Sequence, residues 1–147
     1  LPICIVSDDQ LRKRLNEMIE RVHIANGNIF GAVAMEAAYN HGEEWLDELL
    51  VYLQENLKLI EQYTSQHFKG IELIKPEGTY LAWLDCRQLP MEHDQIHRFM
   101  IEQANVGFND GASFGDKGSG FMRLNFGCPR KNLQQVLENM HRAIGNI

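Results

Sequence analysis

The sequence predicts an α/β fold of the two-layer α+β type, in which helices cover one face of an antiparallel or mixed sheet. From residue 43 onward, helical periodicity alternates with short strand-like runs in the order α-β-β-α-β-β-α. The connection at 75–78, Lys-Pro-Glu-Gly, is turn chemistry and is too short for anything but antiparallel neighbours. With 147 residues, 44% of them hydrophobic, the chain can bury a core without disulfides or metals.

Two helices are predicted at the start of the chain. Residues 8–23 place apolar side chains three and four positions apart, and either Asp8 or Asp9 can cap this helix. A loop around Asn26-Gly27-Asn28 ends it, and residues 29–40 form a second helix that is rich in alanine.

A domain boundary is predicted at Gly42. Residues 1–42 contain no strand and resemble a helical segment left from a larger neighbouring domain, whereas residues 43–147 contain every strand and form a small C-terminal domain. The apolar run at 1–6 has the character of buried sequence, which favours a chain cut from a longer protein.

Residues 43–68 predict the longest helix. Acidic side chains crowd its first turns, where the helix dipole favours negative charge. Five apolar side chains recur at steps of three and four, namely Leu46, Leu49, Leu53, Leu57 and Ile60. At ~1.5 Å per residue the helix would be about 40 Å long. Such a length is typical of an interdomain helix.

The remaining elements follow from apolar alternation, turn signals and helical spacing. Four strands are predicted, at 71–74, 79–86, 106–108 and 121–126. Two helices are predicted, at 92–104 and from Pro129 onward.

Composition limits the partners. The net charge is −6 and no basic run occurs, which disfavours nucleic acid. No apolar run approaches the ~20 residues that span a bilayer, and no leader pattern is visible. The three cysteines, Cys4, Cys86 and Cys128, form neither a disulfide framework nor a CxxC pair, so a cytoplasmic location is expected.

Three patterns invite a functional interpretation, but a structural one is favoured for each. The glycines of 107–120 match no phosphate-binding loop, so we predict a mobile surface loop that can border a site. His93 and His97 have the spacing of a metal-binding pair but lack an HExxH motif, and we predict that they lie on an exposed helix face and bind no metal. Cys128 has no neighbouring base and is predicted to be a buried thiol.

Arg123 is the strongest candidate for a ligand-binding residue. By alternation it shares one strand face with Phe121 and Asn125, opposite three apolar side chains. An arginine among apolar neighbours must meet an anion or water. Spacing alone leaves two interpretations open: capture of a carboxylate by the guanidinium fork, or an ion pair with an internal carboxylate, which is the commoner case.

Three segments resemble one enzyme family. They lie at 37–46, 76–85 and 104–130, and the last contains Arg-Leu-Asn-Phe-Gly-Cys-Pro-Arg from Arg123 to Arg130. In their order and separation they resemble the cystathionine β-lyase-like (MalY/PatB) branch of the class I/II aminotransferases.

The resemblance implies a homodimeric fold-type I enzyme that uses pyridoxal 5'-phosphate (PLP) on amino-acid substrates such as cystathionine or cysteine conjugates. Transamination and C–S β-elimination both fit, and the branch favours elimination. By motif position, Arg123 corresponds to the arginine that binds the substrate carboxylate, while Arg130 receives no catalytic role. Asn28, Phe30 and Gly31 correspond to a turn near the dimer interface and the partner's active site.

The resemblance also implies that the Schiff-base lysine lies upstream of this chain. None of the six lysines has the expected Ser-Lys context: Lys13, Lys58, Lys69, Lys75, Lys117 and Lys131. The chain is therefore expected to be inactive alone. An alternative from another class is a free-standing α/β binding or dimerisation module without catalysis.

Overall fold

The computed structural model describes residues 4–23 and 28–147. They fall into two compact units, one up to Leu46 and the other from Asp47 to Ile147. Parts of the predicted apolar run at 1–6 and of the loop at 26–28 lie outside the described residues. The predicted domain boundary at residue 42 stays a prediction.

The first unit contains α1 (Asp9–Arg21), α2 (Ile29–His41) and the beginning of α3 (Glu43–His67). Of the two predicted caps for α1, Asp8 is the one used, because its Oδ1 accepts from the Leu11 N–H at 2.8 Å. Neither α1 nor α2 contains a buried residue. Most large apolar side chains of these helices are exposed, including Leu11, Met18, Ile29, Phe30 and Val33.

Within the second unit, α3 buries two apolar and two polar side chains: Leu53, Asn56, Ile60 and Thr64. The Thr64 hydroxyl donates to the carbonyl of Ile60 at 2.9 Å, which satisfies it inside the helix. The predicted apolar stripe therefore identifies the buried side of α3, but that side also includes polar residues that the periodicity did not reveal.

The sheet has four antiparallel strands in the order β1-β2-β4-β3. They are β1 (Glu72–Ile74), β2 (Leu81–Asp85), β3 (Asn109–Asp110) and β4 (Phe121–Asn125). This arrangement confirms the predicted two-layer α+β class, the antiparallel sheet and the order of elements from α3 onward. The central pair, β2 and β4, places Trp83 opposite Arg123.

The predicted position of the third strand is wrong. Pairing with β4 falls on Asn109 and Asp110, not on 106–108. Val106 is 4% exposed, and its N–H donates to the carbonyl of Met100 at 2.8 Å, at the end of the preceding helix. The apolar character of Val106 therefore reflects burial in the core and not strand pairing.

Two more helices complete the second unit, α4 (His93–Glu102) and α5 (Arg130–Ile144). Their buried side chains join those of α3 and of one sheet face in a single core. The core includes Ile60, Ala82, Leu84, Ile96, Met100, Met122, Leu124, Leu137 and Met140. Helices thus cover one face of the sheet, as predicted.

Among the described residues, no helix combines the length and apolar character needed to cross a membrane.

Candidate functional site

The second face of the sheet, called here the open face, carries Leu81, Trp83, Phe121, Arg123 and Asn125. These side chains are partly or fully exposed, whereas their neighbours in the strands are buried in the core. The alternation predicted for β4 is therefore found, with Arg123 on the side away from the core.

Arg123 is oriented by two contacts. Its Nη2 donates to Oδ1 of Asn109 at 3.1 Å, and its guanidinium carbon lies 4.2 Å from the ring centroid of Phe114. Its Nε is buried and has no hydrogen-bond partner among the described residues. Within residues 4–23 and 28–147, no carboxylate oxygen lies within ion-pair distance of the Arg123 guanidinium. The internal ion pair that spacing left open is not formed there.

Three aromatic rings pack together next to this arginine, and one of them, Phe114, contacts it. Trp83 meets Phe114 edge-to-face at 5.5 Å between centroids and Phe121 at 6.2 Å in the same manner. Phe114 thus contacts both the indole and the guanidinium. Stacking on Phe114 restricts the orientation of the guanidinium.

Arg87 provides a contrast with Arg123. Its guanidinium lies 4.7 Å from the Phe121 centroid, but its Nε and Nη2 also donate to the two carboxylate oxygens of Asp85 at 2.9 and 2.7 Å. Asp85 is 8% exposed, and the hydrogen bonds from Arg87 hold its pKa below the usual value despite the opposing effect of burial. Arg87 therefore has an internal counter-ion, whereas Arg123 has none among the described residues.

The glycine-rich segment is folded between β3 and β4 into two short 3-10 helices, at Gly111–Phe114 and Asp116–Gly118. Asp110 begins the first one, because its Oδ1 accepts from the Ala112 N–H at 2.8 Å. The backbone at Gly111 passes so close to Gly118 that a Cβ at either position would overlap the other residue's carbonyl oxygen. This segment carries Phe114 to Arg123, a role that its composition did not predict.

His93 does not lie on an exposed helix face as predicted. Its side chain is 15% exposed, its Nδ1 accepts from the Gly120 N–H at 3.0 Å, and its Nε2 lies 2.8 Å from Oδ1 of Asp110. The Nε2 direction does not satisfy a hydrogen bond, so we regard the contact with Asp110 as electrostatic. His97 is half-buried. The described residues contain no cluster of three or more His, Cys, Asp or Glu side chains suited to a metal.

Arg130 belongs to a structural network. Its Nε donates to Oδ1 of the buried Asn56 at 3.1 Å, and its Nη2 pairs with Glu55 at 2.8 Å. Asn56 in turn donates to the carbonyls of Phe126 and Cys128 at 3.0 and 3.1 Å. The network joins α3 to the connection between β4 and α5.

Neither cysteine of the second unit has the environment of a nucleophile. Cys86 is fully buried, which raises its pKa to about 12. Cys128 is half-buried and not fully buried as predicted, and its desolvation also raises its pKa. Cys4, in the first unit, is exposed.

The three residues predicted near a partner subunit lie in the first unit. Asn28 caps α2, since its Oδ1 accepts from the Phe30 N–H at 3.0 Å, and the side chain of Phe30 is 85% exposed. Gly31 lies in the first turn of the same helix. Their position relative to an active site stays a prediction.

The lysines of this chain do not fit a PLP-binding role. A Schiff-base lysine is activated by desolvation or by a neighbouring cation. All six lysines are exposed, namely Lys13, Lys58, Lys69, Lys75, Lys117 and Lys131, and Lys75 pairs with Glu61 at 2.8 Å. No step through the cofactor is therefore assigned to a lysine of this chain.

Comparisons with known proteins agree with the resemblance. No protein-family model matches the chain. Cystathionine β-lyase PatB of Bacillus subtilis is 32% identical over 140 residues, covering 95% of this chain and 36% of PatB. Protein MalY of Escherichia coli is 35% identical over 130 residues, covering 88% of this chain and 33% of MalY. The crystal structure of Treponema denticola cystalysin, which contains PLP, has a TM-score of 0.84 and 30% identity, covering 97% of this chain and 36% of that one.

The chain spans about a third of the length of these relatives. Fold and comparisons together define its class, because it corresponds to the C-terminal part of a fold-type I PLP-dependent enzyme. Within that class its similarity is to the cystathionine β-lyase-like branch of the class I/II aminotransferases.

Proposed function

We propose that this chain supplies the substrate-carboxylate site of a PLP-dependent C–S β-lyase, with Arg123 as the binding residue. The observation that carries the proposal is the unpaired guanidinium on the open face. It is oriented by Asn109 and Phe114 but has no counter-ion among the described residues. A guanidinium fork matches the two oxygens of an α-carboxylate, so two parallel charge-assisted bonds become available to a substrate.

The cofactor would come from the part of the enzyme outside this chain. When bound, PLP supplies an electron sink for the carbanion formed at Cα of an amino acid. The contribution of Arg123 is to hold the carboxylate so that the Cα–H bond keeps one orientation. The stacking of Phe114 on the guanidinium helps to keep that orientation fixed.

Elimination is the favoured reaction, since PatB carries the name cystathionine β-lyase. A cystathionine- or cysteine-conjugate-like substrate would react with water to yield a thiol, pyruvate and ammonia. The assay on the intact enzyme measures pyruvate formed without an added oxo acid. Amino-group transfer that needs an oxo-acid acceptor would instead assign the protein to the aminotransferases.

The experiment that tests the carboxylate role is Arg123→Ala in the intact enzyme. The loss of two charge-assisted bonds should cost about 3–5 kcal/mol of transition-state binding, or roughly a hundred- to several thousand-fold in kcat/KM. Arg123→Lys keeps the charge but loses the fork, so it should restore only part of the rate. The thermal midpoint should change little, because no buried carboxylate loses its partner.

Arg87→Ala is the matched control. Both arginines stack on a phenylalanine, but Arg87 neutralises Asp85. Its removal leaves that carboxylate without a partner, so the thermal midpoint should fall while kcat/KM stays close to wild type. If Arg123→Ala instead lowers the midpoint and leaves kcat/KM unchanged, the carboxylate role is refuted.

The proposal extends to assembly and location. In the intact enzyme we infer a cytoplasmic homodimer in which Asn28, Phe30 and Gly31 lie near the partner's active site. The exposed ring of Phe30 is consistent with a surface that is covered in the assembly. Sedimentation of the intact enzyme tests the dimer, and a monomer that retains full activity would contradict it. The alternative of a free-standing binding module predicts no PLP-dependent activity at all.

A further inference from the structure

We propose that His93 is a positioning residue that holds Arg123 in its carboxylate-binding orientation by fixing both ends of the glycine-rich segment. The inference rests on the proposed role of Arg123 and adds a residue that does not itself contact substrate. Three features support it: the contacts of the imidazole, the location of its two partners, and the fixed start of α4.

The imidazole joins two points that are distant in sequence. Its Nδ1 accepts from the backbone N–H of Gly120, which directly precedes β4, and its Nε2 faces the carboxylate of Asp110, the last residue of β3. Because Nδ1 is an acceptor, the proton of the neutral ring lies on Nε2, and this nitrogen lies 2.8 Å from Oδ1 of Asp110 without forming a hydrogen bond to it. One side chain therefore closes the segment between 110 and 120.

Each end of that segment adjoins Arg123's part of the sheet: Asp110 lies in β3, which pairs with β4, and Gly120 directly precedes β4. Asp110 follows Asn109, which pairs with Arg123 in the sheet and accepts its Nη2 hydrogen bond. Asp110 also begins the 3-10 helix that ends at Phe114, on which the guanidinium stacks. A shift of Asp110 would move both contacts that orient the arginine.

The other side of this link is rigid. His93 is the first residue of α4, and a capping box fixes the start of that helix. In it, the Glu92 N–H donates to the Gln95 side chain at 2.8 Å. Ile96 and Met100 anchor the same helix in the core, each 1% exposed. His93 thus transmits the position of a well-packed helix to a segment that has few apolar side chains of its own.

The test uses the intact enzyme and the equilibrium binding of propanoate, a carboxylate that cannot react. His93→Ala should raise the dissociation constant of propanoate and the KM of an amino-acid substrate, each about three- to tenfold, since the guanidinium stays but loses its orientation. The binding of a primary amine without a carboxylate should not change. Asp110→Asn retains an acceptor for Ala112 but loses the charge facing His93, and it should give a smaller shift in the same direction.

His97→Ala is the matched control, because His97 lies one turn away on the same helix and no hydrogen bond of its ring is found among the described residues. It should leave propanoate binding unchanged. In an Arg123→Ala background, His93→Ala should have no further effect, since the two residues act through one contact.

Several results would overturn the inference. One is His93→Ala with a lower thermal midpoint but wild-type propanoate binding, which makes the histidine merely structural. Another is an equal loss of amine binding, and a third is an additive effect in the Arg123→Ala background.

If His93→Ala does not fold, Asp110→Asn alone decides, and unchanged propanoate binding in that variant also overturns the inference. If Arg123→Ala leaves propanoate binding intact, the proposed function fails as well, whereas an effect confined to Arg123→Ala removes the inference alone.

Discussion

At the scale of single residues, the two arginines near the open face differ in one property. Each stacks on a phenylalanine, but only Arg87 is paired with a carboxylate in the described part of the chain. Sequence alternation placed Arg123 on the correct side of β4 but was unable to distinguish an ion pair from a free guanidinium. That distinction depends on which acidic residues the fold brings near, and no local pattern encodes it.

The ion pair of Asp85 gives a prediction about pH. Arg87 lowers the pKa of Asp85 below its ordinary value of 3.8. A carboxyl with a lowered folded-state pKa contributes stability that is present above the unfolded value and is lost as the pH falls through the folded one. In urea unfolding of the chain, the free energy of unfolding should therefore fall less steeply below about pH 4 in Asp85→Asn than in wild type.

The control for this experiment is Glu77→Gln, which removes an exposed carboxylate in the turn between β1 and β2. Its pH dependence should follow wild type. If the free energy of unfolding falls equally steeply below about pH 4 in Asp85→Asn and in wild type, the ion pair contributes no pH-dependent stability.

At the scale of secondary structure, the sequence predicted the helices, the central strands and the edge strand β1 well, and the other edge strand, β3, poorly. The helices have long apolar periodicity, and β2 and β4 alternate clearly. The edge strand β3 consists of Asn109 and Asp110, two residues that are rare in strands. Near this strand, Val106 is held to the end of α4 and Asp110 lies against His93, and neither contact can be read from a periodicity.

The close passage of backbone in the glycine-rich segment predicts that a side chain at Gly111 is destabilising. A Cβ at Gly111 would overlap the carbonyl oxygens of Gly118 and Phe121, so Gly111→Ala should cost about 1–3 kcal/mol in the free energy of unfolding. At Gly107 no atom lies within 4 Å of an added Cβ, so Gly107→Ala should be nearly neutral. Equal unfolding curves for the two variants would contradict this account.

The buried amide of α3 predicts a second structural effect. Asn56 is fully buried and donates to the carbonyls of Phe126 and Cys128. In Asn56→Leu the Phe126 carbonyl is left without this donor, so the free energy of unfolding should fall by about 1–3 kcal/mol or more.

Gln54→Leu, at an exposed position of the same helix, is the control for Asn56→Leu and should stay within about 0.5 kcal/mol of wild type. A loss of the same size in both variants would mean that the hydrogen bonds of Asn56 contribute little. The apolar stripe of α3 did not predict this residue, because periodicity identifies a buried side and not the polar groups that the side must satisfy.

At the scale of the whole molecule, the two units differ in how they bury apolar surface. The second unit has one core, whereas α1 and α2 bury no residue even though their sequences are amphipathic or largely apolar. The chain spans about a third of its curated relatives, so we expect these exposed side chains to be covered in an intact enzyme. Helical spacing predicted α1 and α2, but the sequence of these helices does not show which surface covers them.

The exposure of every lysine leads to a prediction about the cofactor. If PLP and borohydride are added to the 147-residue chain, labelling should be sparse and scattered, because all six lysines are exposed and none is desolvated. Peptide mapping should find label on several of the six lysines, and no single Lys→Arg substitution should remove most of it. The intact enzyme should instead incorporate label at one lysine outside this chain. Stoichiometric trapping at one residue, such as Lys117 in the glycine-rich segment, would place the reactive amine inside this chain and contradict the division of roles proposed for Arg123 and the rest of the enzyme.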